Sequence, residues 1–254
     1  LGAKDYVTKP SQMGSFEAAN QHLRQQLIPK IKTFCADIIE RHQEIVTPLS
    51  TTQSYPPPSH VRHKQVEVVA IGVSTGGPNA LAAILPQFPA DFPVPIVIVQ
   101  HMPPMFTQSL AQRLTVKCHI PVAEGFESAT LEAGRAWIAP GDYHMIVERS
   151  DGTVRLRTHQ EPPVNSCRPA VDVLFRSVAQ SYGGATLAVV LTGMGQDGFR
   201  GCECIQRAGG QILVQDQASS VVWGMPGFVA KAGLADKVLP LEKIASEILR
   251  TVNG

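Results

Sequence analysis

The stretch VEVVAIGVSTGG, residues 66–77, decides how this chain folds. A short, continuous apolar run rich in valine ends in a turn of Gly, Ser and Thr, and leads directly into a helix-forming segment, GPNALAAIL. A strand that is apolar on both faces belongs inside a sheet covered on both sides, and a glycine-rich strand-to-helix turn opens a βαβ unit. The alternation continues downstream. Strands are expected at VPIVIVQ (94–100), AWIAP (136–140), ATLAVVL (185–191) and GQILVQ (210–215), with helices over 77–86, 105–115, 169–181, 198–208 and 241–252. One piece reads as antiparallel: HMIVERS and TVRLRTH flank Asp151-Gly152, a dipeptide suited to the two left-handed residues of a type I′ hairpin turn. The expected fold class is α/β, a three-layer αβα domain with a mainly parallel sheet and an antiparallel hairpin.

Working outward, the first 65 residues differ in character. Leu23, Leu27, Ile28, Ile31, Phe34, Cys35, Ile38, Ile39 and Ile45 recur at largely three-and-four spacing, which predicts a helix within 16–44, bent at Pro29. STTQSYPPPSH (50–60) then favours extended, poorly packing chain. The expected organisation is an N-terminal segment over 1–45, a linker over 46–65 and one catalytic-sized domain over 66–254.

Composition narrows the function. Lys plus Arg number 22 against 21 Asp plus Glu, a net charge of +1, so no cationic excess exists to hold a nucleic-acid backbone. The longest uncharged stretch, Val68 to Ala90, is interrupted by Gly72, Gly76, Gly77, Pro78, Asn79, Pro86 and Pro89, which argues against membrane insertion. The N-terminal LGAKDYVTKP lacks the pattern of a secretory signal, and a cytoplasmic location is expected. Five cysteines without a CxxC pair fit neither a disulfide framework nor a four-ligand zinc site. Cys202 and Cys204 stand two apart on one expected helix, which turns them to different faces and points to packing.

The chemistry gathers where strands end. Gly72-Val73-Ser74-Thr75-Gly76 reads as a GxSxG elbow presenting Ser74 above the sheet, or as a loop cradling a phosphate at a helix N-terminus, or as a plain helix cap. A dinucleotide site is disfavoured, because Ser74 replaces the middle glycine and the second strand ends in Gln100-His101 rather than an acid. His101, at that strand's carboxyl end, is a candidate general base, the bland alternative being a structural histidine. Asp197, in LTGMGQDG (191–198), follows a third buried strand and could orient an imidazole, or simply cap the next helix. The order Ser, His, Asp differs from that of α/β-hydrolases.

AIGVSTGG, VIVQHMPPMFT, IAPGDYHM, PPVNSCRPAVDVLF, LTGMGQDG and VVWGMPGFVAKAG, in that order, closely resemble the catalytic domain of the CheB family of chemotaxis-receptor glutamate methylesterases and glutamine deamidases. The resemblance runs from about Val66 to the C-terminus. It implies Ser74 as nucleophile, His101 as base and Asp197 as the triad carboxylate, with Thr75 and Met194 helping to form the oxyanion pocket. It implies no cofactor and no metal, and methyl-accepting chemotaxis receptors as partners. His144 and Arg168 would line the site, the alternatives being a hairpin surface residue and a helix-start cation. The sequence departs from the pattern at Ser166-Cys167, where relatives often carry more basic or imidazole-bearing residues. GAKDYVTKP resembles the end of a response-regulator receiver domain, with Lys9 at the acyl-phosphate-contacting position and Pro10 after it. That implies a piece of a longer protein whose phosphoacceptor lies upstream, and a phosphodonor histidine kinase as partner of the full-length form.

Overall fold

A computed structural model describes residues 64–254, together with Ile28. The chain divides into two units at Ser59–His60, and the architecture below belongs to the second. The helix expected within 16–44, apart from Ile28, most of the expected linker and the receiver-like ending lie outside the described residues.

Seven parallel strands form the main sheet in the order β3-β4-β2-β1-β7-β8-β9: β1 (Val68–Val73), β2 (Ile96–Gln100), β3 (Val122–Glu124), β4 (Ala136–Ile138), β7 (Thr186–Val190), β8 (Gln211–Gln215) and β9 (Lys237–Leu239). β5 (His144–Ser150) and β6 (Thr153–His159) form the separate hairpin. Its turn residues Asp151 and Gly152 have φ of 51° and 76°, the two left-handed positions that a type I′ connection demands. The helices are α1 (Gly77–Ile84), α2 (Phe106–Thr115), α3 (Val171–Tyr182), α4 (Phe199–Arg207), α5 (Met225–Lys231) and α6 (Leu241–Asn253).

Both sheet faces are covered, which explains the continuous apolar strands. Val69, Ile71 and Val73 of β1 join Ile96, Ile98, Leu187 and Val189 in a core completed by α1, α2 and α6. Val68 and Ala70 point the other way, with Val97, Val99, Ala188 and Val190, against α3, α4, α5 and the hairpin. The hairpin is anchored to α3 by a hydrogen bond from Val147 N to Ser177 Oγ (3.0 Å). Sequence patterning did not anticipate β3, β9 or α5. The first two are three-residue edge strands, and α5 carries Pro226 and Gly227 in its first turn.

The chain leaves β1 towards β2 on one side and later returns to β1's other side as β7. Such a reversal opens a crevice beyond the carboxyl ends of the strands. Ser74 follows β1, His101 follows β2 and Asp197 lies in the loop after β7, so all three reach one rim. No helix among the described residues is long and apolar enough to cross a membrane.

Candidate active site

The elbow is built by backbone constraints. Ser74 N donates to Thr192 O (3.0 Å) and Gly77 N to Ser74 O (2.8 Å), which closes the turn. Gly76 sits at φ 82°, a left-handed conformation that favours glycine, immediately before α1. Gly193 passes so near that a Cβ there would come within 2.9 Å of Ser74 Cβ. Buried Gln100 ties the elbow to the next strand end, its Nε2 donating to Ser74 O (3.0 Å) and His101 O (3.2 Å). A phosphate cradle on this loop would find the Ser74 and Gly77 N–H groups already engaged. The backbone N–H groups of Thr75 and Met194 make no hydrogen bond among the described residues, and both residues are exposed.

His101 Nε2 lies 2.8 Å from Asp197 Oδ2. A carboxylate only accepts, so Nε2 carries the proton and Nδ1 is the nitrogen free to act as base. Both side chains are largely withdrawn from solvent, at 13% and 3% exposure, which strengthens their coupling. Burial opposes the charged imidazolium, but the hydrogen bond to Asp197 and the contact with Cys167 outweigh it and raise His101 to about 9. For Asp197 burial favours the neutral acid, yet the donors from His101, Val171 and Asn165 hold its carboxyl below the ordinary range.

Asp197 does cap a helix, but not the one that follows it. Its Oδ2 accepts from Val171 N (2.6 Å) and its Oδ1 from Asp172 N (3.1 Å), the first two residues of α3, whose own N-cap, Ala170, has no side chain able to do so. The positive end of α3 thus stabilises the carboxylate. Asp172 Oδ1 in turn accepts from Gly201 N (2.6 Å) in the first turn of α4. Asn165 bridges the pair, its Nδ2 donating to Asp197 Oδ1 (2.8 Å) and Asp172 Oδ2 (2.9 Å). Burial pushes the Asp172 carboxyl up.

Asn165 and Ser166 occupy the left-handed region (φ 52° and 61°) in a tight turn closed by two hydrogen bonds between Val164 and Cys167, at 3.1 and 2.9 Å. That turn delivers Asn165 to Asp197 and Cys167 to His101, whose Nδ1 lies 3.7 Å from Cys167 Sγ. Ser74 Oγ makes no hydrogen bond among the described residues. The sequence marked Ser166-Cys167 as a departure, but only folding brings that thiol to His101.

His144 is fully buried, which excludes the alternative of a hairpin surface residue: its Nδ1 accepts from Ala170 N (3.2 Å) and its Nε2 donates to Pro162 O (3.2 Å), while burial lowers its pKa. Arg168 is committed to Asp142 Oδ1 (2.6 Å) and to the carbonyls of Gln160 and Glu161 (both 3.1 Å), so it braces the loop. Cys202 is a core residue, as its spacing implied. His101, Cys167 and Asp197 each place a potential ligand atom within 4.8 Å of the others. Asp197's oxygens are already filled by N–H donors and His101 Nε2 is one of them, so a cation would have to break that network. The set fits proton transfer better than metal binding.

A model of the CheB methylesterase family matches residues 69–248. A protein-glutamate methylesterase/protein-glutamine glutaminase of Trichodesmium erythraeum is 58% identical over 252 residues, covering 99% of this chain and 72% of that relative. This chain belongs to the CheB methylesterase family. An enzyme of the same name from Nocardioides sp. is 48% identical over 254 residues, covering 98% of this chain and 68% of that protein. The crystal structure of the Thermotoga maritima CheB methylesterase catalytic domain superposes with a TM-score of 0.72 at 41% identity, covering 74% of this chain and 99% of that one. The α/β fold is that of this domain.

Proposed function

We propose that this chain is a serine hydrolase that removes methyl esters from receptor glutamates in bacterial chemotaxis, and deamidates receptor glutamines, with Ser74, His101 and Asp197 as its triad. The names of its relatives supply the substrate class. The observation that carries the mechanism is the His101 Nε2–Asp197 Oδ2 hydrogen bond on the rim that also holds the Ser74 elbow.

Nδ1 of neutral His101 takes the Ser74 proton as Oγ attacks the ester carbonyl, and the Thr75 and Met194 N–H groups face the oxyanion. Asp197 stabilises the imidazolium through Nε2–H. The imidazolium returns its proton to the departing methanol, or to ammonia when the substrate is a glutamine amide. Water, deprotonated at the same Nδ1, then releases glutamate and regenerates Ser74. No residue in this sequence of steps requires a cofactor or metal.

Residues 66–254 would form the catalytic domain, and residues 1–45 the end of a receiver with its following helix, fed in the full-length protein by a histidine kinase. A cytoplasmic location follows from those partners. The test is methanol release from a carboxyl-methylated receptor peptide alongside labelling by a fluorophosphonate probe. Stoichiometric labelling of Ser74, and no methanol release above background by folded Ser74→Ala, are expected. Near-normal release by that variant would refute the nucleophile assignment.

A further inference from the structure

The triad leaves one nucleophile unused in direct contact with its base. Cys167 Sγ stands 3.7 Å from His101 Nδ1, the nitrogen that must receive the Ser74 proton. The thiol is only half-buried, and the Val164–Cys167 hydrogen bonds fix the turn that presents it. Elsewhere among the described residues the thiols are differently placed. Cys202 is fully buried, and burial pushes both its thiol and that of Cys118 up, away from the reactive thiolate form. Cys204 lies on α4 with no histidine partner among the described residues.

We propose that Cys167 is a modification site for peroxides and small alkylating electrophiles, and that modifying it shuts off the hydrolase by occupying the His101 nitrogen that serves Ser74. The proposal rests on the reading of Ser74, His101 and Asp197 as the triad. With hydrogen peroxide, His101 Nδ1 takes the thiol proton as sulfur attacks one peroxide oxygen. An S–O bond forms, the O–O bond breaks, and the departing hydroxide takes that proton to become water. Sulfur is oxidised to the sulfenic acid as the peroxide is reduced. The added oxygen is a donor and acceptor beside Nδ1, in competition with the Ser74 hydroxyl. A thiol reductant reverses the change by forming a mixed disulfide with release of water, after which a second thiol frees Cys167. With iodoacetamide an S–C bond forms, iodide leaves, and the bulkier adduct stays.

The experiment treats the full chain with iodoacetamide, or with peroxide followed by dithiothreitol. Labelling of each cysteine is resolved by mass spectrometry, and fluorophosphonate labelling of Ser74 is read in the same samples. Cys167 is expected to react at least about tenfold faster than Cys118 or Cys204, as base-assisted thiols do. Ser74 labelling should fall in step with Cys167 modification and return with dithiothreitol after peroxide but not after iodoacetamide. His101→Gln should slow Cys167 labelling without changing that of Cys204, and Cys167→Ser should keep its own starting Ser74 labelling through either treatment. Cys167 reacting no faster than Cys204, undiminished reaction in His101→Gln, or full Ser74 labelling in protein modified at Cys167 would each overturn the proposal. A probe that never labels Ser74 in untreated protein would instead defeat the triad reading.

Discussion

Replacing Asp197 by Asn removes one charge and turns one acceptor oxygen into a donor, while every group that faces the carboxylate donates to it. The position of Oδ1 faces N–H groups from Asn165, Asp172 and Gly198, and the position of Oδ2 faces Val171 N–H and His101 Nε2. The amide therefore settles with its oxygen towards the first group and its NH2 towards His101, which alone can change from donor to acceptor. Val171 N–H, at the buried start of α3, is left unpaired, and the helix loses its anion. An orphaned buried donor costs about 1–3 kcal/mol and the lost charge–dipole attraction about 1 kcal/mol more. Against a domain stability of about 5–15 kcal/mol the protein still folds. The catalytic loss is larger. With Nε2 now accepting, the histidine proton moves to Nδ1, the atom that must take the Ser74 proton. The wrong tautomer costs about 10⁴ in kcat in the generic serine triad, equivalent to about 5 kcal/mol. Methanol release measured beside urea denaturation should thus show a folded, somewhat destabilised and nearly inactive enzyme. A folded Asp197→Asn variant within tenfold of the parent kcat/KM would refute both the tautomer argument and the role of Asp197.

The rate should rise with pH through the His101 titration near 9, falling about tenfold for each unit below it, because only neutral Nδ1 accepts the serine proton; a flat kcat/KM profile between pH 6 and 9 would contradict this. The same raised value stabilises the fold: the contribution is complete below the unfolded value of 6.5 and is lost as pH rises through about 9, a change of about 3 kcal/mol that urea titrations should find in the parent and not in His101→Gln. Asp197, held low, acts in the opposite sense, so its contribution is present above the ordinary 3.8 and fades only as acid reaches its folded value. Incubation with a chelator should leave methanol release unchanged, and activity restored only by added zinc would overturn a triad that works by proton transfer alone.

The strands and helices that carry the site were legible because their signals are local. β1, β2, β7 and β8 are apolar runs closed by glycine or polar turns, and Asp151-Gly152 specifies its own hairpin by backbone preference. β3 and β9 carry no continuous buried apolar run, Ala123 and Glu124 being partly exposed and Lys237 and Val238 exposed, and they pair only because a neighbouring strand offers an edge, whereas the equally short β4 is buried throughout and shows as an apolar run. The motifs placed Ser74, His101 and Asp197 at three strand ends, and a family resemblance joined them. The strand order then made those ends adjacent. Which nitrogen of His101 meets Asp197 depends on side-chain packing between segments 96 residues apart. So do the cap that Asp197 lends to α3, the Asn165 bridge and the approach of Cys167 to the base. No window of sequence contains these relationships, since each joins a side chain to a group whose position is set by the turn at 164–167 and the packing of α3 against α4. Local chemistry specifies the elements and their turns, whereas the protonation and reactivity of a buried group are set by whatever the completed fold places within a few ångströms of it.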